Sequence, residues 1–225
     1  MSIAISVSKL ESFRKYLDEV KMRDKILVQQ QDLIDEIMGK KIYKPAMGRG
    51  TAYHSLVEMN KDVTKLEAGY SVKIRDEEKP HFFTEEVAQP ALQFRADHLH
   101  MIQEVNLHKD IQVREHTVRV RGRADVLEGM EGRDIKTSEH DLDIDFYMDS
   151  FQWRLYCWME GLRAFHYEHF KLTLGENDQV EKVTYSHCSF APLPFRDQEV
   201  RQLIYRFVEF AETHNLLSYL ELKAA

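Results

Sequence analysis

Two cysteines, five prolines and nine glycines are all that this chain of 225 residues has of the types that staple, break or loosen a fold. Cys157 and Cys188 cannot brace a domain of this size, nor by themselves complete a four-thiolate zinc or iron–sulfur site. Both sit among apolar neighbours, which predicts small buried hydrophobes in a reduced setting. No apolar run approaches the ~18 residues of a membrane span, and the N-terminus lacks a signal-peptide layout, so a cytoplasmic protein without a membrane partner is expected. Neither Gly-x-x-x-x-Gly-Lys-Ser/Thr nor Gly-x-Gly-x-x-Gly occurs, which removes the sequence basis for a nucleotide-driven motor or a dinucleotide enzyme. Positive charge is not in excess either: 31 Lys+Arg stand against 38 Asp+Glu, a formal net charge of −7. That argues against a tail-driven nucleic-acid binder, although the distribution of charge counts for more than its sum.

What is present is patterned. Ser8 with Glu11 forms a capping box ahead of Leu10, Phe13, Leu17, Val20, Leu27 and Ile34, predicting one long helix or two shorter ones to about Met38. Pro45, Gly48 and Gly50 lead into a helix over 50–66, and a polar stretch at 74–80 precedes another over 84–103. Then the period changes. From about 110 the chain alternates, 118–127 reads as a strand, and a Gly129-Met130-Glu131-Gly132 turn leads to a short strand over 133–137. A helix over 146–163, strands over 165–174 and 180–190, and a helix over 196–221 complete the order. The expectation is an α+β or mixed α/β domain with a central mixed sheet of about five strands flanked by helices, plus an N-terminal helical extension over 1–40.

The turn after 128 holds the chemistry. Side chains two apart on a strand share a face, so Asp134 and Lys136 project together. With a two-residue turn Asp125 lies across from Asp134; with a four-residue turn it lies across from Lys136. Either register gathers three charged groups on one face, whereas a three-residue loop would put Asp125 on the other face unless a bulge corrected it. Two carboxylates at cross-strand distance repel unless a cation sits between them, and hard oxygen ligands suit Mg²⁺ or Mn²⁺. A lysine beside such an ion can hold a water or stabilise charge developing on a phosphate. Upstream, His54 and Glu58 stand one helical turn apart; the imidazole can complete a divalent site, and Glu58 can orient it or hold a second ion. Downstream, Gln152 and Tyr156 share a helix face.

In this order, His54, then Gly122-Arg123-Ala124-Asp125, then Asp134-Ile135-Lys136-Thr137, then Gln152 and Tyr156 resemble the PD-(D/E)XK nuclease superfamily, closest to its RecB-like branch of RecB nuclease domains and phage-type exonucleases. The resemblance implies a restriction-endonuclease-like core over 50–190, closed by the C-terminal helix. It implies that His54, Asp125, Asp134 and the backbone carbonyl of Ile135 bind Mg²⁺ or Mn²⁺. Lys136 would position or activate the attacking water or stabilise the phosphorane-like transition state, and Gln152 and Tyr156 would contact the strand near the scissile phosphate and brace the site. The reaction implied is in-line attack of a metal-bound water on a DNA phosphodiester, an exonuclease processing ends in recombination, repair or phage DNA metabolism. The setting would be a bacterial or phage-infected cytoplasm, with DNA and a recombination or single-strand annealing protein as partners. Asp134 stands where Glu is commoner, as in RecB-like members, and the cysteines of iron–sulfur relatives are absent, so no cluster is expected.

Lys40, Lys41, Lys44 and Arg49 occupy the approach to His54, while Arg119, Arg121 and Arg123 share a strand face with Asp125. Such groups contact phosphates without reading bases. The alternative for the three arginines is cross-strand pairing with acids. Tyr43, Tyr53, Phe82 and Phe83 read mainly as core, and the acids from Glu139 to Asp149 as a solvated loop and helix start. Two other functions fit the pattern: a structure-specific endonuclease on the same scaffold, and a DNA-binding subunit with a degenerate site.

Overall fold

Alternating valines and arginines over 116–128 make one strand long enough to serve several partners, and the fold is organised around it. The computed structural model describes the chain except residues 23–24, 41–44, 75–76, 193–196 and 223–225, with the side chains of 21, 22, 25, 45–47 and 177 also left out. In chain order come β1 (Ser2–Ser6), α1 (Val7–Leu17), β2 (Lys21–Met22), β3 (Lys25–Ile26), α2 (Gln30–Ile37) and α3 (Pro45–Glu58). A small meander follows, β4 (Val63–Leu66), β5 (Gly69–Val72) and β6 (His81–Thr84), then α4 (Glu85–Asp97). The hairpin of β7 (Ile102–Val113) and β8 (His116–Glu128) leads into β9 (Glu131–Ser138), α5 (Ile144–Asp149) and α6 (Phe151–Glu160). The chain closes with β10 (Ala164–Leu174), β11 (Val180–Phe190) and α7 (Asp197–Thr213).

Six strands form the main sheet, in the order β1-β8-β9-β10-β11 with β7 also on β8. β7 pairs antiparallel along almost the whole of β8. β1 runs parallel to its first half, Ser2↔Thr117 to Ser6↔Arg121, and β9 pairs antiparallel with its last three residues, Val126↔Arg133 to Glu128↔Glu131. Because β7 covers one edge, β1 and β9 share the other, and residues 122–125 between them have no strand partner on that edge. This gap positions the site. Gly129, with φ 61, starts the two-residue turn that sets the β8–β9 register.

Helices cover both faces. On one side α1, α2, α6 and α7 bury a cluster that includes Ile3, Ile5, Leu10, Phe13, Trp153, Tyr167 and Phe207. On the other, α3, α4 and the small meander bury Tyr53, Leu56, Phe83, Phe94, Val126, Ile135 and Phe170. Cys157 and Cys188 are buried and unbonded to each other. Among the described residues no helix is long and apolar enough to cross a membrane.

The mixed α/β class and the strands after 116 agree with the expectation; the first hundred residues differ. Segment 1–40 is not a helical extension, because it opens with a strand of the central sheet and α1 packs into the core. Ser6, not Ser8, caps α1 by accepting from the Lys9 backbone N–H at 3.2 Å. Glu11 is buried and holds Arg14 and the backbone N–H of Phe151, at 3.1 and 2.7 Å. The helix predicted over 50–66 ends at Glu58, and 63–66 is strand; the one predicted over 84–103 ends at Asp97. β7 begins near 102 rather than 110, and β1 makes the main sheet six-stranded instead of about five. The predicted 146–163 helix is two, α5 and α6, broken at Ser150, whose hydroxyl caps α6.

Candidate metal centre

Three segments meet at the gap. On β8, Ala124 packs in the first core cluster and Val126 in the second, so the strand's alternation breaks at Asp125. The Asp125 carboxylate accepts the Ile135 backbone N–H at 2.7 Å, replacing the strand partner that is missing there. In an extended strand the N–H and C=O of one residue leave by the same edge, so the Ile135 carbonyl faces the same gap. The turn has two residues, which is the register that sets Asp125 toward Asp134.

β9 carries Asp134 and Lys136 on one face. Lys136 Nζ lies 2.5 Å from Asp134 Oδ2 and donates to Gln152 Oε1 at 3.1 Å, while Gln152 Nε2 donates to Asp134 Oδ1 at 2.8 Å. That closed triangle locks α6 to β9. Tyr167, directly beside Asp134 on β10, lies under the Lys136 ammonium, 5.8 Å from its ring centre.

α3 supplies the third side. His54 Nε2 is 3.1 Å from Glu58 Oε1 and 3.6 Å from Asp125 Oδ2. The helix lies this low because residue 50 is glycine: a Cβ there would come 2.6 Å from Thr137 Oγ1. Gly122 does the same for α6, since its Cβ would meet Tyr156 Cε1 at 2.7 Å and Val7 Cγ2 at 2.8 Å. Tyr156 donates its hydroxyl to the Arg123 carbonyl at 2.7 Å, satisfying another group orphaned by the gap.

Charge is unbalanced here. Burial and the nearby Asp134 push the Asp125 carboxyl up to about 6, against the pull of His54, the Ile135 N–H and Lys136. Burial also opposes charge on His54, Glu58 and Lys136. For His54 it is outweighed by Glu58, Asp125 and Asp134, which raise the imidazole, and for Lys136 by Asp134 and Asp125, which raise the ammonium. For Glu58 it is outweighed by His54, and the carboxyl is lowered. His54 Nε2 and Asp134 Oδ2 are buried without a hydrogen bond of good geometry among the described residues. Ligand atoms of His54, Glu58 and Asp125 all lie within 4.8 Å of one another. One imidazole nitrogen and several carboxylate oxygens, crowded and under-compensated, fit a hard divalent cation such as Mg²⁺ or Mn²⁺.

The predicted residues His54, Asp125, Asp134, Ile135, Lys136 and Gln152 are thus brought together, with two shifts of emphasis. Glu58 stands in the tightest ligand group, whereas Asp134 is engaged by Lys136 and Gln152. Tyr156 is 3% exposed, so it braces the site and cannot contact a strand as expected. The arginines divide. Arg119 makes a bidentate pair with Asp110 at 2.8 Å, Arg123 pairs with Glu104 at 2.7 Å, and Arg49 pairs with Glu139 at 2.9 Å. Arg119, Arg121 and Arg123 nonetheless line one open groove with Ser6, Asn106 and His108. Lys44, with Lys41 and Tyr43, lies outside the described residues. Tyr53 and Phe83 are core, but Phe82 is 48% exposed and is not, and Asp143 caps α5. Glu104 and Asp110 escaped the sequence reading. Their signal was acid on the face of the paired strand, Asp110 opposite Arg119 and Glu104 diagonal to Arg123, visible only once β7 is known to begin near 102.

No family model matches the chain, and no curated protein matches it. Among solved structures, the crystal structure of SSO0001 aligns with a TM-score of 0.52 at 14% identity, over 92% of this chain and 76% of that one. The likeness is one of fold, and the chain is similar to that protein along nearly its whole length.

Proposed function

We propose that the chain is a Mg²⁺- or Mn²⁺-dependent deoxyribonuclease with a restriction-endonuclease-like core, acting as an exonuclease on DNA ends. The observation that carries the reading is the meeting of Asp125, Asp134, Lys136, His54 and Glu58 at one break in the sheet, with the sequence motifs that resemble RecB-like nucleases. His54, Glu58 and Asp125 would hold the cation, and Asp134 and the Ile135 carbonyl would complete its ligands. When bound, the ion supplies Lewis acidity and a water of lowered pKa. The Lys136 side chain is 30% exposed, and its ammonium, held by Asp134 and Gln152, would stabilise charge developing on a phosphodiester bound beside it. Gln152 holds Lys136 and Asp134 in mutual orientation, and Tyr156 pins the backbone just before Asp125. The groove along Arg119, Arg121 and Arg123 gives a phosphate backbone an approach to the site. End processing in recombination, repair or phage DNA metabolism, in a cytoplasmic setting and beside an annealing or recombination protein, is the role this chemistry suits.

The test is cleavage of end-labelled linear duplex, single strand and closed circular DNA in Mg²⁺ or Mn²⁺, with Asp125→Ala and Lys136→Ala alongside. Linear substrates should shorten and both variants should lose on the order of 10²–10³-fold in rate. Cleaved circles would replace the exonuclease by an endonuclease; undiminished variants would remove the site assignment.

A further inference from the structure

Six non-glycine residues of the described chain adopt positive φ, and two of them flank the candidate metal centre. Met59, at φ 49, ends α3 directly after Glu58; Glu104, at φ 53, lies in β7 at the register position facing Asp125, between Gln103↔Val126 and Val105↔Ala124. A left-handed residue inside a paired strand is disfavoured for any side chain with a Cβ and persists only where its surroundings hold it. Here they do. Glu104 is ion-paired to Arg123, two residues before Asp125, at 2.7 Å. Next to it, Gln103, with its amide turned to suit both neighbours, donates to the Glu58 carbonyl at 3.2 Å and accepts from Arg95 at 3.0 Å. Arg95 itself donates to the carbonyls of Glu58 at 2.6 Å and Val57 at 3.3 Å, closing the end of α3. One short stretch of β7 therefore touches the backbone that carries Glu58 and bends the strand pair where β8 turns Asp125 into the gap.

We propose that Glu104 is a positioning residue which, with Gln103 and Arg95, holds Glu58 and Asp125 at the spacing needed to share one divalent cation. This rests on the reading of His54, Glu58 and Asp125 as a cation site. Its left-handed backbone is the cost of that spacing, so relaxing the backbone and binding the cation should respond in opposite directions. Glu104→Gly permits the φ without a Cβ but lets the strand relax and frees Arg123. Glu104→Gln keeps the Cβ, the side-chain length and an amide oxygen that can still accept from Arg123, and removes only the charge.

The experiment is Mn²⁺ titration by calorimetry, with thermal unfolding of the metal-free protein, on the wild type, Glu104→Gly, Glu104→Gln and Asp125→Asn. The expected result is a Glu104→Gly protein with a metal-free Tm equal to or above wild type and Mn²⁺ affinity at least fivefold weaker, while Glu104→Gln loses twofold or less. Unchanged affinity in Glu104→Gly, an affinity loss accompanied by a lower metal-free Tm, or equal losses in the two variants would each overturn the proposal. The control separates it from the reading beneath it. Mn²⁺ binding that survives Asp125→Asn overturns the site itself, whereas a site abolished by Asp125→Asn but indifferent to Glu104→Gly overturns the brace alone.

Discussion

The two ends of β8 each bring one histidine and two glutamate or aspartate side chains within 4.8 Å of one another, yet they are different objects. At the far end stand Glu115, His116 and Glu212; at the near end stand His54, Glu58 and Asp125. At the far end a cation is already built in. Arg114 reaches Glu212 at 2.6 Å and Glu209 at 3.1 Å and stacks on Tyr205, while Glu115 is 73% exposed to water. Carboxylates there are paired or solvated, and the group fastens the β7–β8 turn to α7. At the near end Glu58 and Asp125 are buried, and Lys136, the ammonium at the site, is committed to Asp134. The same residue types make a clasp where a guanidinium is hydrogen-bonded to a carboxylate among them and, in the proposed reading, a cation site where, among the described residues, none is.

Cleavage should separate the two ends most sharply. His54→Ala is expected to lower the rate on linear DNA by on the order of 10²-fold or more, because an ion without its imidazole ligand binds and polarises poorly. His116→Ala should stay within about twofold at a temperature where both variants are folded, since among the described residues none of Arg114, Glu115, His116 and Glu212 lines the groove. Equal losses would dissolve the distinction.

Stability of the metal-free protein should then move in opposite directions. With its pKa at about 6 in the folded state against 3.8 when unperturbed, the Asp125 carboxyl binds its proton more tightly folded than unfolded. Its ionised form therefore costs stability at neutral pH, and the cost disappears as pH falls from 6 toward 4. Asp125→Asn, which keeps an oxygen for the Ile135 N–H, should raise stability by on the order of 1–3 kcal/mol at pH 7.5 and by little at pH 4. Glu212→Gln should instead lower it, by about 1 kcal/mol, through loss of partly exposed ion pairs. Denaturant melts at the two pH values check both signs, and a destabilised Asp125→Asn at pH 7.5 would defeat the account of the near end.

A smaller effect sharpens the same contrast. Mn²⁺ at tenfold its dissociation constant should stabilise the wild type by about 1.4 kcal/mol, a few degrees in Tm for a chain of this size. Asp125→Asn should lose that shift and Glu212→Gln should keep it. A shift retained by the first and lost by the second would place the ion at the clasp.

Much of the near end was legible in the amino-acid order because its parts are local. Asp134 and Lys136 share a face by strand period, His54 and Glu58 by helix period, and Gly129 marks the turn that brings Asp125 toward Asp134. The alternating run around 118–127 predicted its strand for the same reason. What stayed hidden depends on partners distant in the chain. Ser2–Ser6 is a strand because Ile3 and Ile5 find Val118 and Val120, more than a hundred residues away. The arginines of β8 read as free phosphate contacts until Glu104 and Asp110 come across from β7.

By itself, then, the sequence determined the mixed α/β class, the later strands and most of the side chains that meet at the gap, because period and spacing act over a few residues. Only the tertiary structure decided that β1 and β9 leave a gap on one edge of β8, that two glycines let α3 and α6 close on it, and that Glu58 rather than Asp134 joins the tightest ligand group. Those outcomes follow from strand pairing, close packing and charge compensation between segments far apart in sequence, which no local pattern encodes.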